Sequence, residues 1–175
     1  MPEITKCLNE WNVIIEALGQ GKQTILIRKY GTNFNEFLLY PTIGYTKKNN
    51  ILNSFIDNEQ NFVENNLYST NKDLLSKVKY YATVEEIIKE SSAEIDKYDK
   101  FHIWTKKHVK RYIFNRKDIR IWILRVYELD EPQMLKKTRG MLFANVNTPV
   151  KLEGKPVIPD DEFNKLKEEI LDIHS

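Results

Sequence analysis

The sequence predicts an α+β domain centred on a twisted or partly closed sheet, with helices packed around it. Three observations carry this expectation. Two short runs rich in branched and aromatic residues, 24–29 and 36–40, flank the turn residues Gly31-Thr32-Asn33. A longer run over 119–129 is apolar on both faces apart from Arg125, as a central strand should be. Both ends of the chain place apolar residues at helical spacing.

Taken in order, Leu8, Trp11, Ile14, Ile15 and Leu18 form one helical stripe over 6–18, stopped by Gly19 and Gly21. The runs 24–29 and 36–40 then read as a hairpin, with Pro41 ending the second strand because proline cannot donate to a ladder. Residues 46–66 are asparagine-rich, and Ile51, Leu52, Phe55, Ile56 and Phe62 predict a helical insertion lying over the sheet. A strand over 78–82 leads into Thr83, which reads as the cap of a helix through Val84, Ile87, Ile88 and Ile95, with Glu86 in the capping-box position. Thr105 caps a second helix through Val109, Tyr112 and Ile113. After the strand 119–129 come two weaker ones, 141–146 and 149–152. Pro159-Asp160 opens a last helix, with Phe163, Leu166, Ile170 and Ile173 as its buried stripe and Asp160, Asp161 and Glu162 at the positive end of its dipole.

The totals bound the function. With 175 residues, 41% apolar and 30% charged, one globular domain over 1–175 is expected. The single cysteine, Cys7, excludes an internal disulfide, and without a CxxC or Cys/His cluster no metal or cofactor is expected. No apolar run reaches bilayer length, and the first twenty residues include Glu3, Lys6, Glu10 and Glu16, so a cytoplasmic protein without membrane contact is expected. The net charge is only +2, but it is unevenly spread. Lys106, Lys107, Lys110, Arg111, Arg116, Lys117 and Arg120 face a single acid, Asp118, within fifteen residues, while the acids gather in 153–172. Trp104, Tyr112, Phe114 and Trp122 interleave with these cations.

On a helix starting at Thr105, Lys106 and Lys110 share one face and Lys107 and Arg111 the next. Two readings stand open. The cations form a solvated helix face, or they form a rim that attracts phosphates while nearby rings stack on unpaired bases. Arg28 and Arg125 lie in apolar strands and need partners, either a carboxylate such as Glu16, Glu36 or Glu128, or a ligand's phosphate or base edge. Tyr40 and Thr42 flank Pro41 and offer a ring and a hydroxyl to the same cleft, or a core tyrosine with its hydroxyl at the rim. Trp11 reads as a core anchor. His102 and His108 lie six apart, which is not metal spacing. No catalytic constellation stands out. One rival phrase, Glu153-Gly154-Lys155 with Asp130 upstream, matches the Glu-x-Lys arrangement of a magnesium-dependent restriction-type nuclease. A non-enzymatic protein-binding subunit is the third reading, and it requires an exposed apolar patch without a cationic cleft.

Several phrases carry a family resemblance. Leu8-Asn9-Glu10-Trp11 through Leu18, Gly21 through Lys29, Glu36-Phe37-Leu38-Leu39-Tyr40-Pro41-Thr42, Leu124-Arg125-Val126-Tyr127-Glu128-Leu129 and Pro156 through Phe163 resemble the uncharacterised domain of unknown function family 1802. Relatives beside restriction-endonuclease-type modules imply a setting near DNA modification or defence. More distantly, residues 21–28 are similar to the GxKxxExR phrase of the ASCH group of PUA-like β-barrels, which implies a PUA-like sheet and a cleft for RNA, modified bases or nucleotide-like ligands. Gly21 and Arg28 match, whereas Gln23 stands at the lysine position and Leu26 at the acid position, so the catalysis of some ASCH members is not implied. The expected site therefore has Arg28, Tyr40, Thr42 and Arg125 as ligand contacts. Lys106, Lys107, Lys110, Arg111, Arg116 and Arg120 form its nucleic-acid rim.

Overall fold

The computed structural model describes residues 2–42, 51–67 and 75–175. Its organising strand is the one with the strongest sequence signal. β5 runs Asp118–Leu135, longer than the apolar run alone, and Ile119, Ile121, Trp122, Ile123 and Leu124 are all buried. One edge of β5 pairs antiparallel with β4, Ser76–Ser91, along almost its whole length. The other edge is shared by two short strands, β2 (Ile25–Arg28) opposite 120–123 and β7 (Gly154–Pro156) opposite 127–129. On the far side of β4 the sheet continues through β3 (Glu36–Thr42), β1 (Glu3–Trp11) and β6 (Phe143–Lys151), in the order β2-β5-β4-β3-β1-β6. All pairs are antiparallel except β1 with β3. The fold is thus the expected α+β class, in the form of a seven-stranded twisted sheet that does not close.

The sheet curls until strands from opposite parts of this order meet through side chains. The rings of Trp122 on β5 and Phe143 on β6 stack 6.3 Å apart at 10°, and Phe37 on β3 meets Phe143 at 5.3 Å. Strand alternation divides the core. Leu8, Phe37, Leu39, Ala82 and Trp122 pack inward with helix α1 (Asn12–Gly19), whose Val13, Ile14, Ala17 and Leu18 are fully buried. Cys7, Leu38, Tyr40, Val78, Leu135 and Val150 make a second cluster. Burial pushes the Cys7 thiol up to about 11, so it is a packing group and not a nucleophile. Glu16 is buried yet satisfied by the Lys79 ammonium at 2.6 Å and the Tyr80 hydroxyl at 3.2 Å.

Four sequence expectations are corrected here. Residues 6–11 are strand, and the helix begins only at Asn12, because Cys7 and Leu8 are buried on opposite faces. The two runs 25–28 and 36–42 do not form a hairpin: β2 pairs with β5 and β3 with β4 and β1. Pro41 does not end β3 but lies within it, opposite Glu10. The ladder to β4 ends at Leu38, so the missing N–H falls where β3 has one neighbouring strand. The helix expected after Thr83 is the continuation of β4. Register shifts between Val78 and Tyr80 and between Val84 and Glu86 break the period-two pattern, and a bulged strand then imitates helical spacing.

The helical insertion lies partly outside the described residues, at 46–50. Within them it is two 3₁₀ turns, Ile51–Ser54 and Asp57–Glu59, and helix α2, Gln60–Asn65. After β4 a 3₁₀ segment, Ser92–Phe101, leads to α3, Lys106–Tyr112. The weak strands at 141–152 are one strand, β6. The last helix, α4, spans Asp160–His174 and buries Phe163 and Ile170. Arg125 secures its start: the guanidinium donates to the Asp160 carboxylate at 2.6 Å and the Ile158 carbonyl at 3.0 Å, and lies 4.8 Å from the Phe163 ring centroid.

The curl rests on the Trp122 ring, whose Nε1–H also donates to the Tyr30 carbonyl at 3.0 Å. Trp122→Ala should therefore lower unfolding free energy by about 3–5 kcal/mol in urea titration, and a loss below about 1 kcal/mol would mean that the ring does not hold the two sheet ends together.

Candidate functional site

The concave site forms where the sheet fails to close. β1 leaves β6 at Leu8, which pairs with Phe143, but continues beside β3 as far as Trp11 opposite Thr42. The Asn9 N–H still donates to the Leu142 carbonyl at 2.9 Å. From Glu10 onward, that edge of β1 has no strand partner among the described residues. β2 likewise uses one edge for β5. Between these two edges lies a cleft of 1090 Å³, with α3 and the 51–54 turn along one side and residues 140–142 along another.

Arg28 ends β2 on the floor of this cleft. Its Nη2 forms an ion pair with the Glu10 carboxylate across the seam, and Nη1 donates to the Ile27 carbonyl at 2.9 Å. The two side chains are 13% and 10% exposed, so water screens this pair weakly. The Trp11 N–H donates to the other Glu10 carboxylate oxygen at 2.9 Å, and the Thr42 hydroxyl donates to the Glu10 carbonyl at 3.2 Å. The partner of Arg28 is thus an acid that the strand pattern did not nominate.

Helix α3 is capped as its sequence predicts: the Thr105 hydroxyl accepts from the His108 N–H at 3.1 Å. Val109 is buried and fixes the helix rotation. The cations then divide by i, i+4 spacing. Lys106 and Lys110 turn to Asp99 and Asp96, each at 3.3 Å, while Lys107 and Arg111 line the cleft. Rings fill the gaps between charges. His108 stacks on Trp104 at 6.2 Å and 14° and meets Trp11 at 6.0 Å. The Lys29 ammonium lies 4.9 Å from the Tyr112 ring centroid, and the Arg116 guanidinium 5.0 Å from that of Tyr30. The lining carries Arg28, Lys29, Lys107, Arg111 and Lys137 against one acid, Glu10, which Arg28 already neutralises. Such a cleft favours a ligand with both negative charge and planar apolar faces.

The structure therefore brings together Arg28, Thr42, Lys107 and Arg111 of the sequence-predicted residues. Others lie elsewhere. Tyr40 is one layer back: its hydroxyl donates to the Leu135 carbonyl at 2.8 Å, and its ring lies 5.7 Å beneath the Lys137 ammonium. Arg125 is committed to α4. Arg120 stands opposite Arg28 in the β2–β5 ladder but outside the lining. Arg116 borders the cleft, donating to the Lys29 carbonyl at 3.0 Å. Gln23 and Leu26, at the altered positions of the Gly21–Arg28 phrase, are buried. Gln23 ties the backbone together, donating to Ile25 at 2.9 Å and accepting from Ile103 at 3.3 Å. Sequence reasoning missed Lys29, Tyr30 and Lys137 as lining residues, while Trp104, one of the rings interleaved with the cations, and Trp11, which packs on the core as expected, line the cleft as well. Lys29 and Tyr30 simply follow Arg28 out of β2, whereas nothing in the sequence around Lys137 marks it.

The rival nuclease phrase is a pairing element. Glu153 accepts from the Asp130 N–H through its backbone carbonyl at 2.9 Å, and Gly154 sits so close to β5 that a Cβ would fall 2.2 Å from the Glu128 carbonyl oxygen. Among the described residues no three His, Cys, Asp or Glu side chains are grouped to hold a metal ion.

Comparison with known proteins gives two results. A family model described as "Domain of unknown function (DUF1802)" matches residues 7–169. Among solved structures, the ASCH protein of Zymomonas mobilis is similar at TM-score 0.45 and 11% identity, covering 97% of this chain and 95% of that one. Two single-residue variants of that protein are similar at TM-score 0.45 and 12% identity, covering 93% and 96% of this chain and 96% and 98% of theirs. None of the curated proteins matches.

Two predictions test the site's construction. Removing Glu10 leaves a largely buried guanidinium unpaired, so Glu10→Ala should cost about 3 kcal/mol, and adding Arg28→Met should recover most of it; additive losses in urea titration would show the pair to be uncoupled. Behind α3, burial, with a smaller push from the charge of His108, holds the His102 imidazole down at about 4, below the ordinary histidine value of 6.5. Between these values the unfolded chain binds a proton that the native chain refuses. Stability should therefore rise with pH from about 4 to 6.5, and His102→Gln should flatten that rise. An unchanged slope in the variant would refute the assignment.

Proposed function

The chain belongs to the DUF1802 family of domains of unknown function, and we propose that it uses the seam cleft to bind nucleic acid or a nucleotide-like ligand without catalysing its conversion. Lys107 and Arg111 meet phosphate, Arg28 and Thr42 lie at the floor, and Trp11 and Tyr112 border the path of the base. The observation that supports this reading most is the lining itself: four cations without a carboxylate partner among the described residues, set among aromatic rings in a concave space. Phosphates satisfy the charge and bases the rings. The same reading includes a cytoplasmic location, expected from the sequence, and a place in restriction or RNA-related systems, as the family resemblance implies. No helix among the described residues is long and apolar enough to cross a membrane.

The test is fluorescence anisotropy with labelled single-stranded RNA and DNA at low salt. The Lys107→Glu/Arg111→Glu double variant should bind at least tenfold more weakly. Its slope of log affinity against log salt should be shallower by about 1.4, roughly 0.7 for each lost phosphate contact on a single strand. Lys106→Gln/Lys110→Gln, at positions already engaged by Asp99 and Asp96, should bind nearly as the wild type does. Wild-type protein without affinity for any strand at low salt would end the proposal.

A further inference from the structure

Outside the cleft, the connection from α3 to β5 carries side chains that the core does not use. Phe114 is 74% exposed and Tyr30, at the mouth of the cleft, 64% exposed. Single exposed rings are ordinary on a protein surface, so what singles these two out is their place beside the cleft and the Arg116 guanidinium. Tyr30 stands against a cation, and Phe114 precedes that cation by two residues in the chain. The Arg116 guanidinium lies over Tyr30 and is anchored by the Lys29 carbonyl, while the Lys29 ammonium lies over Tyr112 at the helix end. Asn115, between Phe114 and Arg116, adopts a left-handed conformation with φ of 66°. Non-glycine residues take that conformation at a cost, and here it bends the chain between the exposed ring and the anchored arginine.

This cluster adjoins the cleft, since Lys29 and Tyr30 line the cleft and also hold Arg116 outside it. We infer that the ligand is a single strand of several nucleotides, and that the strand leaves the cleft across a platform of Tyr30 and Phe114 with Arg116 as its phosphate partner. The inference rests on the cleft reading above and extends it to the form of the ligand. The charge sign selects a polyanion. The exposed ring faces select unpaired bases, because the bases of a duplex keep their faces stacked on one another.

The experiment compares the wild type with Tyr30→Ala/Phe114→Ala, using a labelled mononucleotide, a labelled twelve-nucleotide single strand and the matching duplex. Both rings are solvated, so their removal should leave thermal unfolding unchanged. The wild type should prefer the single strand over the duplex by tenfold or more. The variant should lose roughly tenfold or more in affinity for the single strand, given what one stacked base contributes, while Phe114→Ala alone, which alters no residue of the cleft lining, should weaken strand binding and leave mononucleotide affinity the same. Equal binding of strand and duplex, or a variant that binds the strand as the wild type does, would overturn the platform; the cleft reading would survive provided Lys107→Glu/Arg111→Glu still weakened binding. A wild type that binds none of the three probes at low salt would remove both.

Discussion

A sheet that curls but does not close is the constraint from which the other features follow. Closing would require β2 to hydrogen-bond with β1 or β6, and β2 spans only Ile25–Arg28 while β6 leaves β1 at Leu8. Two edges that carry no further strand among the described residues consequently face each other. Bare edges invite pairing with other chains, and proteins blunt them with charge or cover. Here the covering is α3, and the charge is the Glu10–Arg28 pair. That pair spans the gap as a clasp of side chains where a ladder would otherwise run. Replacing such a pair by apolar residues often costs nothing or even stabilises. Its presence at the bottom of the gap is what the proposed binding role would require of that floor.

The seam also explains how a nearly neutral chain acquires a strongly positive hollow. The 3₁₀ segment Ser92–Phe101 presents Asp96 and Asp99 to one face of α3 and compensates Lys106 and Lys110 there. One residue further round, Lys107 and Arg111 have no such neighbours among the described residues and look into the cleft. Sorting seven helix residues into a neutralised face and an uncompensated one concentrates potential where low-dielectric walls focus it. The buried His102 belongs to the same design. It lies between Asp99 and Trp104, and its Nδ1 accepts from the Trp104 N–H at 3.2 Å, so a neutral ring supports the turn into α3 without adding charge behind it.

Much of this architecture is legible in the sequence wherever one period dominates. β5, the Thr105 cap and α4 are clear because a buried strand, a capping residue and a helical stripe each leave a local signature. The failures share a physical cause. In β4 a bulge at Val84–Glu86 shifts the alternation by one residue, and the pattern then fits a helix as well as a strand. In β1, Cys7 and Leu8 serve different cores, so burial on two faces erases alternation altogether. The supposed hairpin fails because adjacency in sequence does not determine pairing: β2 finds its partner nearly a hundred residues later. The site is half legible for related reasons. The face bearing Lys107 and Arg111 follows from helix geometry, and Arg28 from a charge in an apolar strand. Glu10 and Lys137 reach the same cleft only through the curl of the sheet, a long-range property that no local window contains. Tyr40 shows the reverse error, a chemically suitable ring whose hydroxyl the Leu135 carbonyl already holds.

The distribution of charge with depth says which way a ligand would lie. At the floor, the Arg28 charge is cancelled by Glu10, and that carboxylate also accepts from the Trp11 backbone. What remains there is a polar but nearly neutral surface beside the stacked Trp104 and His108 rings. At the rim, Lys107 and Arg111 are exposed and uncompensated, and Lys29 and Arg116 stand over tyrosines that lower the cost of holding them in place. A phosphate driven to the floor would meet the Glu10 carboxylate and surrender its hydration against a guanidinium already paired. The same phosphate at the rim would meet two or more cations while remaining partly in water. On the proposed reading, desolvation would order a nucleotide with its base inward and its phosphate outward, and the backbone of a longer strand would run along the rim toward Tyr30 and Phe114.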